Sequence, residues 1–360
     1  MEKAIIAMSG GVDSSAAALL MQQAGYDCIG ATMQLFHNED AGISREKTCC
    51  SLDDVQDAKL VCAKLGIAHY VFNFSERFRR DVMQRFADSY ECGRTPNPCI
   101  DCNRYLKFDA MMQRMQEMGY DYIVTGHYAQ VVHDPASGRY LLKKAADASK
   151  DQTYVLYSLT QEQLQHIRLP LGGFQKSEIR ELAEKNGLLN ARKKDSQDIC
   201  FVPDGDYAGF LERFTGRTYT PGEFVDTTGK VLGEHRGIIH YTVGQRKGLG
   251  IAAGHPLYVC GIDVQENRVT LGENKDLFSD YLTADQVNLI SVPSLSDPIR
   301  VTAKIRYRHQ EQPATAWMEG EILHVRFDQP QRAITCGQAV VMYQGDTVVG
   351  GGTIRSVGTA

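Results

Sequence analysis

No apolar run in these 360 residues approaches the ~18 that a helix needs to cross a bilayer, so no membrane partner is expected. The start, Met1 to Met8, is too short and too soon followed by Gly and Asp to serve as a signal peptide. Both absences point to a cytoplasmic protein. Positive charge is not in excess either: 39 Lys and Arg stand against 44 Asp and Glu, a net charge of −5. Any nucleic-acid site must then be a local basic face on an acidic protein. Internal repeats and low-complexity tracts are missing too, which sets aside repeat architectures. The length is more than one ordinary core absorbs, so two or three domains are expected.

Cysteine, by contrast, is plentiful. Ten are scattered over the whole length: Cys28, Cys49, Cys50, Cys62, Cys92, Cys99, Cys102, Cys200, Cys260 and Cys336. They are not spaced as a small secreted framework, and without an export signal they read as reduced thiols. There a Cys-x-x-Cys pair more often does redox or metal chemistry.

The first two hundred residues alternate strand and helix. Ala4 to Met8 is an apolar strand, Ser14 to Ala24 an Ala/Leu-rich helix, and Cys28 to Phe36 a second strand. Leu52, Val55, Ala58, Cys62 and Leu65 mark one helix face. Tyr70 to Phe72 is a strand, Glu76 to Tyr90 a helix, and Leu106, Ala110, Met111, Met115 and Met118 lie on another helix before a strand at Tyr122 to Thr125. Such alternation predicts an α/β fold with a doubly wound parallel sheet, whose ligands sit beyond the carboxyl ends of the strands. After Phe201 one helix, Asp206 to Phe214, precedes short alternating runs rich in Gly, Thr and Val. Val301, Ala303, Ile305 and Tyr307 alternate with Thr302, Lys304, Arg306 and Arg308, which predicts a strand with a basic face. Boundaries fall near 205 and 290.

Ser9-Gly10-Gly11-Val12-Asp13-Ser14-Ser15 joins the first strand to the first helix. Two glycines let a phosphate approach the backbone, and the helix start offers N–H groups and the positive end of its dipole. The loop lacks the Gly-Lys-Ser/Thr of a Walker sequence, so no lysine in it reaches a transferring γ-phosphate. A pyrophosphate cradle of this kind suits cleavage between the α and β phosphates, that is, adenylation. The loop resembles that of the PP-loop pyrophosphatase superfamily.

Further on, Asn97 and Pro98 form a helix-opening signature as N-cap and first helical residue. This sets Cys99 and Cys102 in the first turns, where the dipole is expected to lower a thiol pKa. Cys62 reads as core, and Cys28 and Cys260 as strand packing. Cys49 and Cys50 have no assigned role.

Together with Thr95-Pro96-Asn97-Pro98 and Cys102-Asn103, further blocks extend the resemblance. They are Thr125 to Ala129, Lys150-Asp151-Gln152, Ser196 to Phe201, Tyr241 to Gly250 and Arg306-Tyr307-Arg308. In this order they resemble the tRNA-specific 2-thiouridylase family over essentially the whole chain. That resemblance implies a PP-loop adenylation and thiolation domain over 1–205, a small central domain over 206–290, and a C-terminal β-barrel that contacts tRNA over 291–360. It implies ATP, with Mg2+, as substrate, bound by Ala7, Met8, Ser9, Gly10, Gly11, Val12, Asp13, Ser14, Met33 and Gly126. Cys200 would carry a persulfide delivered by a cysteine desulfurase or relay protein. Cys102 would be the paired nucleophile, with a transient Cys102–Cys200 disulfide. Asn97, Pro98 and Cys99 would meet the target base, the wobble uridine of tRNAs for Lys, Glu and Gln. His127, Lys150, Asp151, Gln152, Arg306, Tyr307 and Gln338 would contact the tRNA, bound by a monomer.

Two positions depart from the family pattern. Many members carry Asp where this chain has Cys99, and Cys336 stands where Pro is usual. The extra thiol opens an alternative, in which Cys99, Cys102 and Cys200 ligate an iron–sulfur cluster with one open iron. Another adenylating PP-loop synthetase and a non-enzymatic thiol or metal module are the remaining competitors.

Overall fold

The computed structural model describes residues 1–36, 52–193 and 199–358. Cys49, Cys50 and the 194–198 part of the Cys200 segment lie outside them. Five parallel strands form the first sheet. β1 (Lys3–Ala7) lies inside it, with β2 (Asp27–Gln34) and then β3 (His69–Asn73) on one side. On the other side lie β4 (Tyr122–Val124) and a short strand, Ile167–Arg168. Strand order therefore reverses between β1 and β4, the switch point at which such sheets open a crevice. Ala4, Ile5 and Ile6 have no exposed surface, because helices cover both faces. Burial on both faces is why β1 reads as a continuous apolar run instead of an alternating one.

α1 (Val12–Gln23) follows β1 directly, and its Ala16, Ala17 and Ala18 are fully buried. The cysteine-bearing helix starts as expected: Asn97 Oδ1 accepts from Cys99 N at 3.2 Å, and Pro98 is its first residue. It then winds as a π-helix over Cys102–Ala110 and returns to α over Met111–Glu117.

The central domain has the helix Tyr207–Thr215, opened by the Asp206 side chain, and a four-stranded sheet between Gly222 and Gly272. Six strands then close a barrel. The first, Phe278–Leu289, pairs with both Ile322–Arg332 and the last, Thr347–Gly358. The expected boundary at 290 falls after that first strand, whose alternation is broken by bulges and a positive φ at Gln286.

The barrel is also not separate from the first domain. A hairpin, Gln130–Asp134 with Arg139–Lys143, extends the barrel sheet through Lys143 beside Thr347. One apolar core joins Phe108, Leu142, Tyr154 and Leu156 to Ile290, Val341, Tyr343 and Val348. The basic strand expected through Arg308 ends at Lys304. Ile305 still turns inward, and the chain then bends so that Tyr307 packs edge-on against Tyr154 and donates to the Asp151 carbonyl at 3.3 Å. Arg306 and Tyr307 are thus turn residues. Among the described residues no helix is long and apolar enough to cross a membrane.

Candidate active site

A cavity of about 330 Å³ opens at the carboxyl ends of β1 and β4. Its walls combine the phosphate-loop residues Ser9, Asp13 and Ser14 with Cys99, Cys102 and Cys200. Ala7, Met8, Met33, Pro98, Gly126, His127 and Gln152 line it as well. The loop and the thiols, at least 85 residues apart in sequence, therefore share one chamber.

On the loop side, Gly10 takes φ +72°, and a Cβ there would meet the Asp54 carbonyl oxygen at 2.5 Å. Only glycine fits that combination. Gly11 is the N-cap of α1 and caps it with no side chain, which leaves the first N–H groups to a ligand. Ser14 and Ser15 hydroxyls donate to the Gly11 carbonyl at 3.1 and 3.0 Å. Four residues far along the chain hold this loop. Lys176 Nζ reaches both Asp13 carboxylate oxygens at 2.7 Å, and Tyr128 Oη donates to Asp13 at 2.9 Å. Asn190 Nδ2 donates to the Gly10 and Gly11 carbonyls and to Ser15 Oγ. Lys193 Nζ bridges Asp54 and Asp57 and touches the Gly10 carbonyl at 3.3 Å.

On the sulfur side, Cys99 is exposed while Cys102 and Cys200 are half-buried. Burial pushes the Cys102 thiol up to about 11, Cys99 and Asp101 add to this, and Lys107 opposes it. The dipole-lowered thiol expected from the helix start is therefore corrected: desolvation outweighs a helix end whose first α-turns span only Pro98–Asp101. His127 lies 2.7 Å from Thr125 Oγ1 and packs near Phe108. Burial, with Lys107 adding to it, holds its pKa well below the usual histidine value, so it is neutral. The extra thiol does not create a metal site as placed. Among the described residues no three His, Cys, Asp or Glu side chains converge as a ligand set, so Cys99, Cys102 and Cys200 do not fit a cluster.

Comparison with known proteins matches the same three parts. The tRNA methyl transferase HUP domain matches residues 2–204, the tRNA methyl transferase PRC-barrel domain 208–273, and the aminomethyltransferase beta-barrel domain 279–354. The tRNA-specific 2-thiouridylase MnmA of Lachnoclostridium phytofermentans is 53% identical over 98% of this chain and 99% of its own. That of Clostridioides difficile is 51% identical over 98% of both. The chain belongs to the tRNA-specific 2-thiouridylase family. A 4-thiouridine synthetase–RNA complex with bound ATP aligns far less well, with TM-score 0.39 and 21% identity over 60% of this chain and 54% of that one. A likeness that slight carries no functional argument.

Of the remaining positions expected from the family blocks, Gln152 lies in the cavity wall and the others are placed elsewhere. Asn97 borders a second cleft on the far side of the cysteine helix. Asp151 accepts from Ala145 N and Thr153 Oγ1, and Gln152 Oε1 accepts from Tyr128 N. Gln338 spends its amide N–H groups on the carbonyls of Thr95 and Pro96, at 2.8 and 3.3 Å. With Thr95 N donating to the Cys336 carbonyl, a barrel turn thereby grips the entry to the cysteine helix. Lys107, Lys176, Asn190 and Lys193 were not singled out from the sequence. Isolated Lys and Asn carry no periodic signal, although Lys193 heads the basic run before Cys200.

Proposed function

We propose that this 2-thiouridylase replaces the carbon-2 oxygen of the wobble uridine of tRNAs for Lys, Glu and Gln with sulfur, cleaving ATP to AMP and pyrophosphate. The activity is that of a tRNA-uridine 2-sulfurtransferase. The observation that carries this reading is the single cavity bordered by both the phosphate loop and the Cys102 and Cys200 thiols. An adenylated oxygen is a good leaving group, and a sulfur nucleophile displaces it.

ATP, with Mg2+ as its counterion, lies along Ala7 to Ser14, with Met33 and Gly126 at the nucleoside side. The uridine leaves the anticodon stack and enters beside Asn97, Pro98 and Cys99. His127, Lys150, Asp151, Gln152, Arg306, Tyr307 and Gln338 face the tRNA around it. A donor, a cysteine desulfurase or relay protein, loads Cys200 as a persulfide. Its outer sulfur attacks carbon 2 and AMP departs with the oxygen. The Cys102 thiolate then attacks the inner sulfur, the bond between the two Cys200-derived sulfurs breaks, and its electron pair leaves with the sulfur on the base. A Cys102–Cys200 disulfide remains, for reduction by an external thiol.

Purified protein given ATP, unmodified tRNA and a persulfide donor is expected to release pyrophosphate and form 2-thiouridine. The Cys200→Ser variant is expected to release pyrophosphate and leave the base as uridine. Thiolation by Cys200→Ser at the wild-type rate would contradict the scheme.

A further inference from the structure

Lys107 is a cation of the cavity for which the scheme above has no use. It lines the same chamber as Cys102, His127 and Cys200. Unlike Lys176 and Lys193, which are tied to Asp13 and to Asp54 and Asp57, it makes no hydrogen bond or ion pair among the described residues. An ammonium in a half-buried position with no partner among the described residues costs solvation and needs a reason to persist.

Its location comes from an irregularity of the helix. Lys107 follows Cys102 by five residues, and both fall in the π-helical stretch Cys102–Ala110. An α-helix turns about 100° per residue, so positions five apart differ by roughly 140° and face apart. The i→i+5 closure of a π-helix brings those positions back toward one face, and such turns recur at functional sites. Without this winding Lys107 would turn away from the thiol.

We propose that Lys107 is a positioning residue for sulfur transfer: its ammonium, set on the Cys102 face by the π-turn, holds Cys102 as the thiolate that attacks the Cys200 persulfide. This deepens the function proposed above and rests on Cys102 being the resolving nucleophile. The proton that Cys102 loses goes to water, and Lys107 keeps its own. Other groups around the thiol do not supply the charge. On its own helix Cys99 and Asp101 disfavour the thiolate, whereas Lys107 favours it. Across the cavity Asp13 and Asp54 are each held by a lysine, His127 is neutral, and Cys200 is the electrophile's carrier.

The test is the pH profile of alkylation at Cys102, followed by iodoacetamide labelling and peptide mass spectrometry on the full chain. Cys99 in the same tubes is the internal reference. Lys107→Met is expected to move the Cys102 profile to higher pH and slow labelling at pH 8 about tenfold, the effect of one pKa unit. Lys107→Arg, which keeps the charge, is expected to restore it, and the Cys99 profile should stay put in all three proteins. If Lys107→Met does not fold, Lys107→Gln takes its place. A Cys102 profile that superimposes on wild type in a folded neutral variant overturns the proposal. Because labelling needs neither ATP nor tRNA, failure of the wild type to thiolate tRNA would refute the function and leave this result readable on its own.

Discussion

His127 sits in the cavity wall with its Nδ1 on Thr125, and its place after Thr125-Gly126 made it a candidate from sequence. Its neutrality has a stability consequence with a definite sign. The unfolded chain takes up a proton on this histidine near pH 6.5, while the native ring resists charging until well below that. The unfolded state thus binds more protons as pH falls, so native stability declines below about pH 6.5. Thermal melts between pH 7.5 and 5.5 are expected to show that decline, and His127→Asn to flatten part of it. At the loop, Lys176 is held by both oxygens of Asp13 with little exposure. Lys176→Met leaves a partly buried carboxylate with the Tyr128 hydroxyl but no cation, at a cost of about 3 kcal/mol for a buried pair. Pyrophosphate release should fall by roughly two orders of magnitude or more, measured at saturating tRNA. The loop and the paired thiols were legible in the sequence because each is a compact local pattern. Lys107, Lys176 and Asn190 were not, since only the fold brings them to their partners.

Secondary elements show the same division. β1, α1 and the Asn97-Pro98 helix start follow from local rules of burial and capping, and the structure keeps them within a residue or two of expectation. The strand expected through Arg308 failed because period-2 patterning says nothing about where a chain must bend to pack Tyr307 on Tyr154. Two contacts between elements can be tested. A Cβ at Gly126 would lie 2.7 Å from the Asp13 backbone carbon and 2.8 Å from Ser14 N, at the very start of α1. Gly126→Ala is expected to weaken ATP binding far more than it lowers the melting temperature, as read by nucleotide titration beside a melt. Gln338→Ala removes two bonds between the barrel and Thr95-Pro96, each worth about 1 kcal/mol net. It should slow thiolation several-fold and leave the rate of pyrophosphate release intact, because it loosens the cysteine helix and not the loop.

The whole molecule is less divisible than its three family segments suggest. The core around Tyr154 and Tyr343 is built from both the first domain and the barrel, and the 130–143 hairpin continues the barrel sheet. Cutting the chain after residue 277 would strip Phe108, Leu142, Tyr154 and Leu156 of that cover. A 1–277 fragment is therefore expected to aggregate or melt well below the full chain; a soluble fragment with unchanged melting would refute the shared core. Texture along the sequence separated the α/β part from the β part correctly. It missed their union because pairing between Lys143 and Thr347 is a long-range register with no local mark. The central claim concerns what this joined body does to RNA. The most direct measurement is mass spectrometry of anticodon nucleosides from a strain that lacks this gene, with the gene restored as control. The account predicts loss of 2-thiouridine at the wobble position and its return with the wild-type gene but not with Cys200→Ser; unchanged 2-thiouridine in the deletion strain would contradict it.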